Sequence, residues 1–238
     1  MTAHPVYLDL PRFDAALLAR ALKAPVSDLH EVVGPELRGA ATMSERMRPL
    51  ALGIRMAGNA LTVQPGAGDN LMMHRALKMA QRGDVLVIAA GGVLAAQWGT
   101  LAALYAERIG LAGVVVDGSI RDVDELAHMR YPVWATAISP MHPDKQAAGS
   151  INVPVRCDGV TVNPGDLVVG DGDGVIVVPR ARAEQAVAAV EHRVAEEALA
   201  ARRIAAGETL WEVHDLGAAY ARLGLAEQAG RWSQDAKD

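Results

Sequence analysis

The stretch that decides the fold is GVVVDGSIRDVDEL, residues 113–126, near the middle of a chain of 238 residues. It opens with an apolar run that predicts a buried strand. A turn is then predicted at Asp117 and Gly118, and Arg121 and Asp122 follow just before a helical pattern begins. A buried strand therefore leads to a cation and an anion, side by side, at its carboxyl end.

Strands and helices alternate on both sides of this stretch. The predicted strands lie at 54–64, 85–90 and 132–138, and the predicted helices lie between them at 71–83 and 99–109. Alternation of this kind is typical of parallel βαβ units, in which each helix crosses over the sheet between two strands.

The two ends of the chain have other patterns. Two N-terminal helices are predicted, the second of them opened by Asp28 and Glu31 as a capping box. After residue 151, short β-branched runs separated by Gly-rich turn signals predict antiparallel strands. Residues 180–206 then predict a long helix.

Together these patterns predict an α/β fold with flanking N- and C-terminal helices, and no composition break indicates a flexible linker. We expect a single domain over residues 1–238, with a core at about 25–180 and a helical extension at about 181–225.

Composition limits the function. Hydrophobic residues make up 51% of the chain, enough for a large core, and the formal net charge is -5 without a basic stripe, so nucleic-acid binding is not expected. Cys157 is the single cysteine, which excludes an internal disulfide. Neither a signal peptide nor an apolar run of about 18 residues is seen, so we expect a soluble cytoplasmic protein without a membrane partner.

Arg121 and Asp122 are the first candidates for chemistry. Ligands of open α/β sheets bind beyond the carboxyl ends of the strands. There an arginine can bind a carboxylate through two parallel hydrogen bonds, and an aspartate can hold a divalent cation. The alternative is a structural pair, in which Asp122 favours the helix start and Arg121 is solvated.

Two further segments place backbone N–H groups at helix starts. PGAGDN at 65–70, followed by His74, can meet an anion, or Asp69 or Asn70 simply caps the helix while His74 lies on the surface. QWGTLA at 97–102 can form an anion cradle facing Arg121, or it holds an ordinary threonine cap.

Glu197 and Lys145 are weaker candidates. Val187, Val190 and Val194 form an apolar stripe, and Glu197 continues it, so its carboxylate either meets a cation across a subunit boundary or is solvated at the edge of the stripe. Lys145 is interpreted as a surface or anion-binding lysine.

Several segments, among them PGAGDNLMMHRAL, RGDVLVIAA, GVVVDGSIRDVDEL and VNPGDLVVGDGDGVIVVPR, together resemble the RraA-like family over roughly residues 25–210. Within that family the chain is most similar to the class II pyruvate aldolases that cleave 4-hydroxy-4-methyl-2-oxoglutarate and 4-carboxy-4-hydroxy-2-oxoadipate. The resemblance implies a swivelling β/β/α fold, assembled as homotrimers or as dimers of trimers with sites between subunits.

The resemblance also implies roles for individual residues. Arg121 is expected to bind the carboxylate of a 2-oxo acid and to stabilise the developing enolate. Asp122 is expected to ligate Mg²⁺ or Mn²⁺, joined by Glu197 from a neighbouring subunit. The expected backbone cradle and pocket lining comprise Gly99, Thr100, Leu101, Ala102, Asp69, Asn70 and His74.

Thr100 departs from the family pattern, which has an acidic residue at this position, separated from Arg-Asp by twenty residues. That acid is the expected base for aldol cleavage, and a threonine hydroxyl lacks the basicity for it. We therefore expect a divalent-metal-dependent lyase that releases pyruvate, with oxaloacetate-type decarboxylation favoured and aldol cleavage dependent on His74 or another base. The alternative is a non-catalytic regulator of the RraA type that binds a ribonuclease.

Overall fold

The computed structural model describes residues 4–33 and 38–231, and the chain divides into two compact units, residues 1–192 and residues 193–238. This division does not test the prediction of a single domain over residues 1–238, which stays a prediction.

The helices of the first unit are α1 (Ala15–Ala21), α2 (Val26–Val32), α3 (Arg38–Ala41), α4 (Leu71–Met79), α5 (Thr100–Ile109) and α6 (Val123–Met129). A short 3-10 helix (Arg180–Arg182) precedes α7 (Ala183–Ala205), and α8 (Leu210–Val213) and α9 (Leu216–Ala221) follow in the second unit.

The strands are β1 (Arg48–Pro49), β2 (Met56–Gln64), β3 (Asp84–Ala89), β4 (Gly113–Ile120), β5 (Val133–Ile138), β6 (Ser150–Ile151), β7 (Val155–Cys157), β8 (Val160–Val162), β9 (Leu167–Asp171) and β10 (Gly174–Val178).

The main sheet has the strand order β1-β5-β4-β3-β2-β9-β10, with β6 paired to β2. The predicted parallel arrangement is confirmed for β2, β3, β4 and β5, and the predicted antiparallel pairing is confirmed for β9 with β10 and β7 with β8. At the two ends of the sheet, a guanidinium nitrogen of Arg48 donates to the carbonyl of Asp173 over 3.3 Å, so the sheet is nearly closed into a barrel.

The central strands are buried on both faces, which is why they read as continuous apolar runs. Side chains alternate along them: Leu86 and Val114 pack on the face covered by α4, α5 and α6, and Val87 and Val115 pack on the opposite face beside β7 and β8. Cys157 packs in the second of these layers, where burial raises the pKa of its thiol.

The turn predicted at Asp117 and Gly118 is wrong. β4 continues through these residues to Ile120, and its pairing with β5 shifts register between Val116 and Ser119. The Gly118 N–H is satisfied across the gap by the Thr136 hydroxyl at 2.8 Å, which a sequence pattern could not indicate.

The capping box predicted at Asp28 is also wrong. α2 begins at Val26, so Asp28 lies inside its first turn, and Pro25 is the N-cap residue. The Val26 N–H donates over 3.0 Å to a carboxylate oxygen of Asp171, a residue at the end of β9. The cap of this helix therefore comes from a distant strand.

In the second unit, Thr209 and Glu212 form a reciprocal capping box at the start of α8. The rings of Trp211 and Tyr220 meet edge to face with centroids 5.3 Å apart. Across the described residues, every helix is too short or too polar to cross a bilayer.

Candidate active site

The end of β4 and the start of α5 are held together by backbone hydrogen bonds. The Gln97 N–H donates to the Ser119 carbonyl over 2.8 Å, and the Arg121 N–H donates to the Trp98 carbonyl over 3.0 Å. The segment before α5 therefore lies beside the last residues of β4. The two sequence candidates, Arg-Asp and the Gly-Thr turn, meet at the carboxyl edge of the sheet, as a parallel sheet requires.

Asp122 is fixed by this arrangement. One of its carboxylate oxygens, Oδ2, accepts the Thr100 N–H at 3.0 Å, and its backbone has a positive φ of 58°. A Cβ atom at Gly99 would lie 2.5 Å from the same oxygen. Since real Cβ contacts do not come that close, glycine at position 99 makes room for the carboxylate.

Arg121 has hydrogen-bonding capacity left over. Its Nε lies 3.8 Å from Asp122 Oδ1, and its Nη1 lies 3.5 Å from Nδ1 of His142. Both are long contacts for a guanidinium that has five N–H donors. With 40% of its side chain exposed, Arg121 can turn this fork toward a carboxylate.

These groups line an open pocket of about 200 Å³. Of the predicted site residues, the lining includes Asn70, His74, Gly99, Leu101, Ala102, Arg121 and Asp122. The other lining residues are Met73, Ala96, Gln97, Trp98, Pro143 and Lys145.

Thr100 reaches the site through its backbone alone. Its N–H binds Asp122, while its hydroxyl is buried and has no hydrogen-bond partner among the described residues. It is absent from the residues lining the pocket. The threonine side chain therefore cannot act as a base in this arrangement.

Other buried polar atoms are also unpaired within the described part of the chain. Asn70 Oδ1, Gln97 Oε1 and Trp98 Nε1 belong to residues that line the pocket, whereas Ser119 Oγ and Asn152 Oδ1 do not. A buried polar atom without a partner costs roughly 1–3 kcal/mol. Three such atoms around one pocket are typical of a functional site, where unpaired polar groups are tolerated because they serve the geometry of the site.

His74 lies on α4 and lines the pocket. Its pKa is lowered, first by partial burial and then by the positive charge of Lys145. The imidazole is therefore neutral near pH 7 and can accept a proton.

Asp69 fastens a loop across the pocket. Its carboxylate accepts N–H groups from Leu71, Gln146 and Ala147, the first at 2.7 Å and the last at 2.8 Å. Burial by itself would raise the pKa of Asp69, but these backbone donors and the charge of Lys145 outweigh it and lower the pKa. Asp69 is thus more than a helix cap: its charged carboxylate holds the loop at Gln146 and Ala147 beside the start of α4.

His142 is a site residue that the sequence did not indicate, and Lys145 was indicated no further than as a surface or anion-binding lysine. The one indication was that both follow β5, so their loop leaves the same edge of the sheet as Arg121. A basic residue in a loop has no periodicity that would single it out.

Glu197 lies in the second unit, on α7, where its carboxylate is 3.4 Å from a guanidinium nitrogen of Arg193. Val187 and Val190 of the predicted stripe are buried in the first unit, but Val194 is 42% exposed. In a single chain Glu197 is therefore half-exposed and paired with Arg193, and its role as a metal ligand stays a prediction.

A divalent cation fits the donors at Asp122. Mg²⁺ is commonly held by one or two carboxylates, with water and substrate oxygens completing its shell. Oδ1 of Asp122 accepts no hydrogen bond within the described residues, and Asp122 lines the pocket. No group of three or more His, Cys, Asp or Glu side chains in residues 4–33 and 38–231 could enclose an ion, so a cation at Asp122 would complete its shell with other oxygens.

Comparison with known proteins identifies the family. The RraA-like family, described as Aldolase/RraA, matches residues 24–177, which is more than half of the chain. The chain belongs to the RraA-like family. The sheet order and the flanking helices described above are therefore those of an RraA-like fold, as the sequence predicted.

Individual RraA-like proteins differ in what they are described as doing. A protein of Halalkalibacterium halodurans, 35% identical over 72% of this chain and 82% of its own, is named a candidate 4-hydroxy-4-methyl-2-oxoglutarate aldolase. RraAS2 of Streptomyces coelicolor, described as an unusual member of the RNase ES inhibitor RraA family, is 32% identical with a TM-score of 0.67 over 79% of this chain and 98% of its own.

A third relative shares more of the chain's length. The crystal structure of an uncharacterized protein from Pseudomonas syringae is 25% identical with a TM-score of 0.76, over 89% of this chain and 99% of its own.

Proposed function

We propose that the protein is a divalent-metal-dependent lyase that cleaves a carbon–carbon bond in 2-oxo acids and releases pyruvate. The observation that carries the proposal is the placement of Arg121 and Asp122 side by side in one pocket, between the end of β4 and the start of α6. The names of the aldolase-like relatives support the same class of reaction.

Arg121 binds the substrate in this proposal. Its guanidinium has donors that the protein leaves nearly unused, and two of them can meet a carboxylate or a 2-oxo oxygen in parallel. Negative charge develops on the 2-oxo oxygen as the carbon–carbon bond breaks, and a fixed cation stabilises that charge more than it stabilises the ground state.

Asp122 would hold Mg²⁺ or Mn²⁺ beside this arginine. A cation there supplies Lewis-acid polarisation of the 2-oxo group. The Thr100 N–H and the space above Gly99 keep the Asp122 carboxylate in position for it.

The two reactions differ in the proton that must move. Aldol cleavage requires a base for the 4-hydroxyl, and such help is typically worth ~10²–10⁴ in rate. His74 is the neutral group in the pocket that can accept that proton, because its pKa is lowered and the Thr100 hydroxyl is enclosed. Decarboxylation needs no such base, so it is the reaction less affected by threonine at position 100.

Assembly is part of the proposal. Homotrimers, or dimers of trimers, would place a second chain beside each pocket, and Glu197 of a neighbouring subunit would then be available to the cation. Leu101 lines the pocket and is 84% exposed, so a neighbouring chain at this edge of the pocket would cover it.

The test is a pyruvate-coupled assay on the purified protein with oxaloacetate and with 4-hydroxy-4-methyl-2-oxoglutarate, each with Mg²⁺ and with EDTA. We expect metal-dependent pyruvate from oxaloacetate at least, and a slower release from the aldol substrate. Absence of metal-dependent pyruvate from both acids would overturn the proposal.

A second candidate function follows from the solved relatives described as RNase inhibitors, of which RraAS2 is 32% identical to this chain. A regulator would need a protein-binding surface and would not need Arg121 or Asp122. A pull-down with purified RNase E or RNase ES separates the two functions: a stoichiometric complex that survives Arg121→Ala would favour the regulator.

A further inference from the structure

A β-bulge interrupts the pairing of β4 with β5 shortly before the charged groups of the pocket. The register shifts between Val116 and Ser119, where β4 has one residue more than β5. The two residues of β4 in this gap, Asp117 and Gly118, lie opposite Thr136 of β5. Bulges are rare in parallel pairs and recur next to active sites, where they redirect the chain. This bulge is therefore a candidate for a feature that positions the pocket.

The Thr136 hydroxyl binds both polar main-chain atoms of Gly118. It accepts the N–H at 2.8 Å and donates a longer bond of 3.4 Å to the carbonyl. In a regular ladder the partners of these atoms would be main-chain groups of β5, and at the bulge the hydroxyl takes their place. Gly118 is buried, so its N–H depends on a partner within the protein.

The other side of the bulge is held by main-chain atoms. The Gly92 N–H donates to the Asp117 carbonyl over 3.2 Å, and the Ser119 N–H donates to the Val93 carbonyl over 3.3 Å. Bonds of this kind do not require a particular side chain. The contact from Thr136 differs, because it requires a hydroxyl group at that position of β5.

The register after the bulge determines where the charged groups lie. Three hydrogen bonds described above join residues 119–122 to residues 97–100 at the start of α5, and all three require this register. With regular pairing, the residues after Gly118 would move along the strand by one residue, about 3.3 Å. A shift of that size would break these bonds and displace Arg121 and Asp122, although a misplacement of about 1 Å can already cost 10²-fold in rate.

We propose that Thr136 is a positioning residue for the pocket: its hydroxyl holds the bulge at Asp117 and Gly118, and the bulge sets the positions of Arg121 and Asp122. The inference rests on the proposed function for the roles of those two charged residues. Thr136 is not among the residues that line the pocket, so it acts through β4 rather than on the substrate.

The test compares three variants with the unaltered protein. Thr136→Val keeps the shape of the side chain and removes the hydroxyl, whereas Thr136→Ser keeps the hydroxyl. Thr62→Val is the matched control, because Thr62 is a buried threonine of β2 in the same sheet, and its hydroxyl donates to the main-chain carbonyl of Val153 over 2.6 Å. Both valine variants therefore lose a hydroxyl bond to the main chain.

Crystal structures of the unaltered protein and the two valine variants give the first measurement. In Thr136→Val we expect the main chain of Arg121 and Asp122 to shift along β4 by as much as about 3.3 Å, with loss of the bond from the Thr100 N–H to Asp122. Thr62→Val should leave both residues in place. Arg121 and Asp122 at unchanged positions in Thr136→Val would overturn the proposal.

Binding of oxalate, a small planar dianion, gives the second measurement, by titration calorimetry with Mg²⁺ present. Thr136→Val should bind oxalate about tenfold or more weakly, and Thr136→Ser and Thr62→Val should stay within about threefold of the unaltered protein. Thermal unfolding of the same variants should show a decrease in Tm of roughly 2–5 °C for each valine variant. Equal weakening of oxalate binding by the two valine variants would show that Thr136 contributes to stability alone.

Failure of the proposed function is distinguishable from failure of this inference. A protein that is not a lyase would release no metal-dependent pyruvate, yet Thr136→Val would still displace Arg121 and Asp122 and Thr62→Val would not. Conversely, an active lyase in which Thr136→Val moves neither residue would retain the proposed function and lose the positioning role.

Discussion

The backbone N–H of Thr100 donates a hydrogen bond of 3.0 Å to Oδ2 of Asp122. This contact joins the first residue of α5 to the residue that opens α6, across the edge of the sheet. It also orients the carboxylate that is proposed to hold the cation, and it does so without the threonine side chain. The side chain at position 100 takes no part in this contact, whereas any side chain at position 99 would collide with the carboxylate.

Gly99→Ala is the first prediction. The new Cβ atom would lie 2.5 Å from Asp122 Oδ2, so the carboxylate must move. We expect Mg²⁺-dependent pyruvate release from oxaloacetate to fall by about tenfold or more while the circular dichroism spectrum is unchanged. Gly172→Ala is the control, since a Cβ there meets no atom within 4 Å and the residue does not have a positive φ. Equal activities of the two variants would contradict the steric argument.

Arg121→Lys is the second prediction. Lysine keeps the charge but loses the planar fork that binds a carboxylate through two bonds. The expected loss in kcat/KM is about 10²-fold, comparable to the removal of one preorganised donor to a developing oxyanion. The measurement is steady-state pyruvate release, with Arg75→Lys on α4 as the control, and a loss smaller than threefold would remove Arg121 from the mechanism.

Thr100→Asp tests the missing base. A carboxylate at the first position of α5 is favoured by the helix dipole and supplies basicity that threonine lacks. Its oxygens lie one bond farther from the backbone than the enclosed Thr100 hydroxyl, and the prediction requires that they reach the pocket. We expect pyruvate release from 4-hydroxy-4-methyl-2-oxoglutarate to rise by about tenfold or more and release from oxaloacetate to stay within threefold. Thr100→Asn has nearly the same shape without the basicity, so a similar rise in that variant would exclude a general-base explanation.

The fourth prediction concerns pH. If His74 accepts the proton in aldol cleavage, kcat/KM rises with pH and levels off above the pKa of His74, which lies below its ordinary value of 6.5. Lys145→Met removes a positive charge that lowers this pKa, so the rising limb should move to higher pH. His74→Gln should abolish the limb. A limb at the same pH in the unaltered protein and in Lys145→Met would show that another group is titrating.

Much of the fold could be predicted because local patterns carry it. The central runs of β3 and β4 are apolar, as in strands covered on both faces, and the helix predicted at 99–109 ends at Gly110, which has the left-handed conformation. The side-by-side Arg121 and Asp122 could be placed at a strand exit for the same reason. Arg121 and Asp122 are close together because they are consecutive in the sequence.

The features that could not be predicted depend on partners far along the chain. Gly118 continues a strand because Thr136 accepts its N–H, and α2 begins at Val26 because Asp171 caps it. Lys145 enters the pocket because Asp69 holds the residues that follow it. A turn signal or a capping pattern describes neighbours in sequence, and each of these contacts overrides it from another element.

The buried thiol of Cys157 reports whether the protein is folded. Because it is the single cysteine, is fully buried and has a raised pKa, a water-soluble alkylating or disulfide reagent can reach it only when the chain opens. The rate of thiol labelling in any of the variants above would then distinguish a change confined to the pocket from a loss of fold stability, without an added probe.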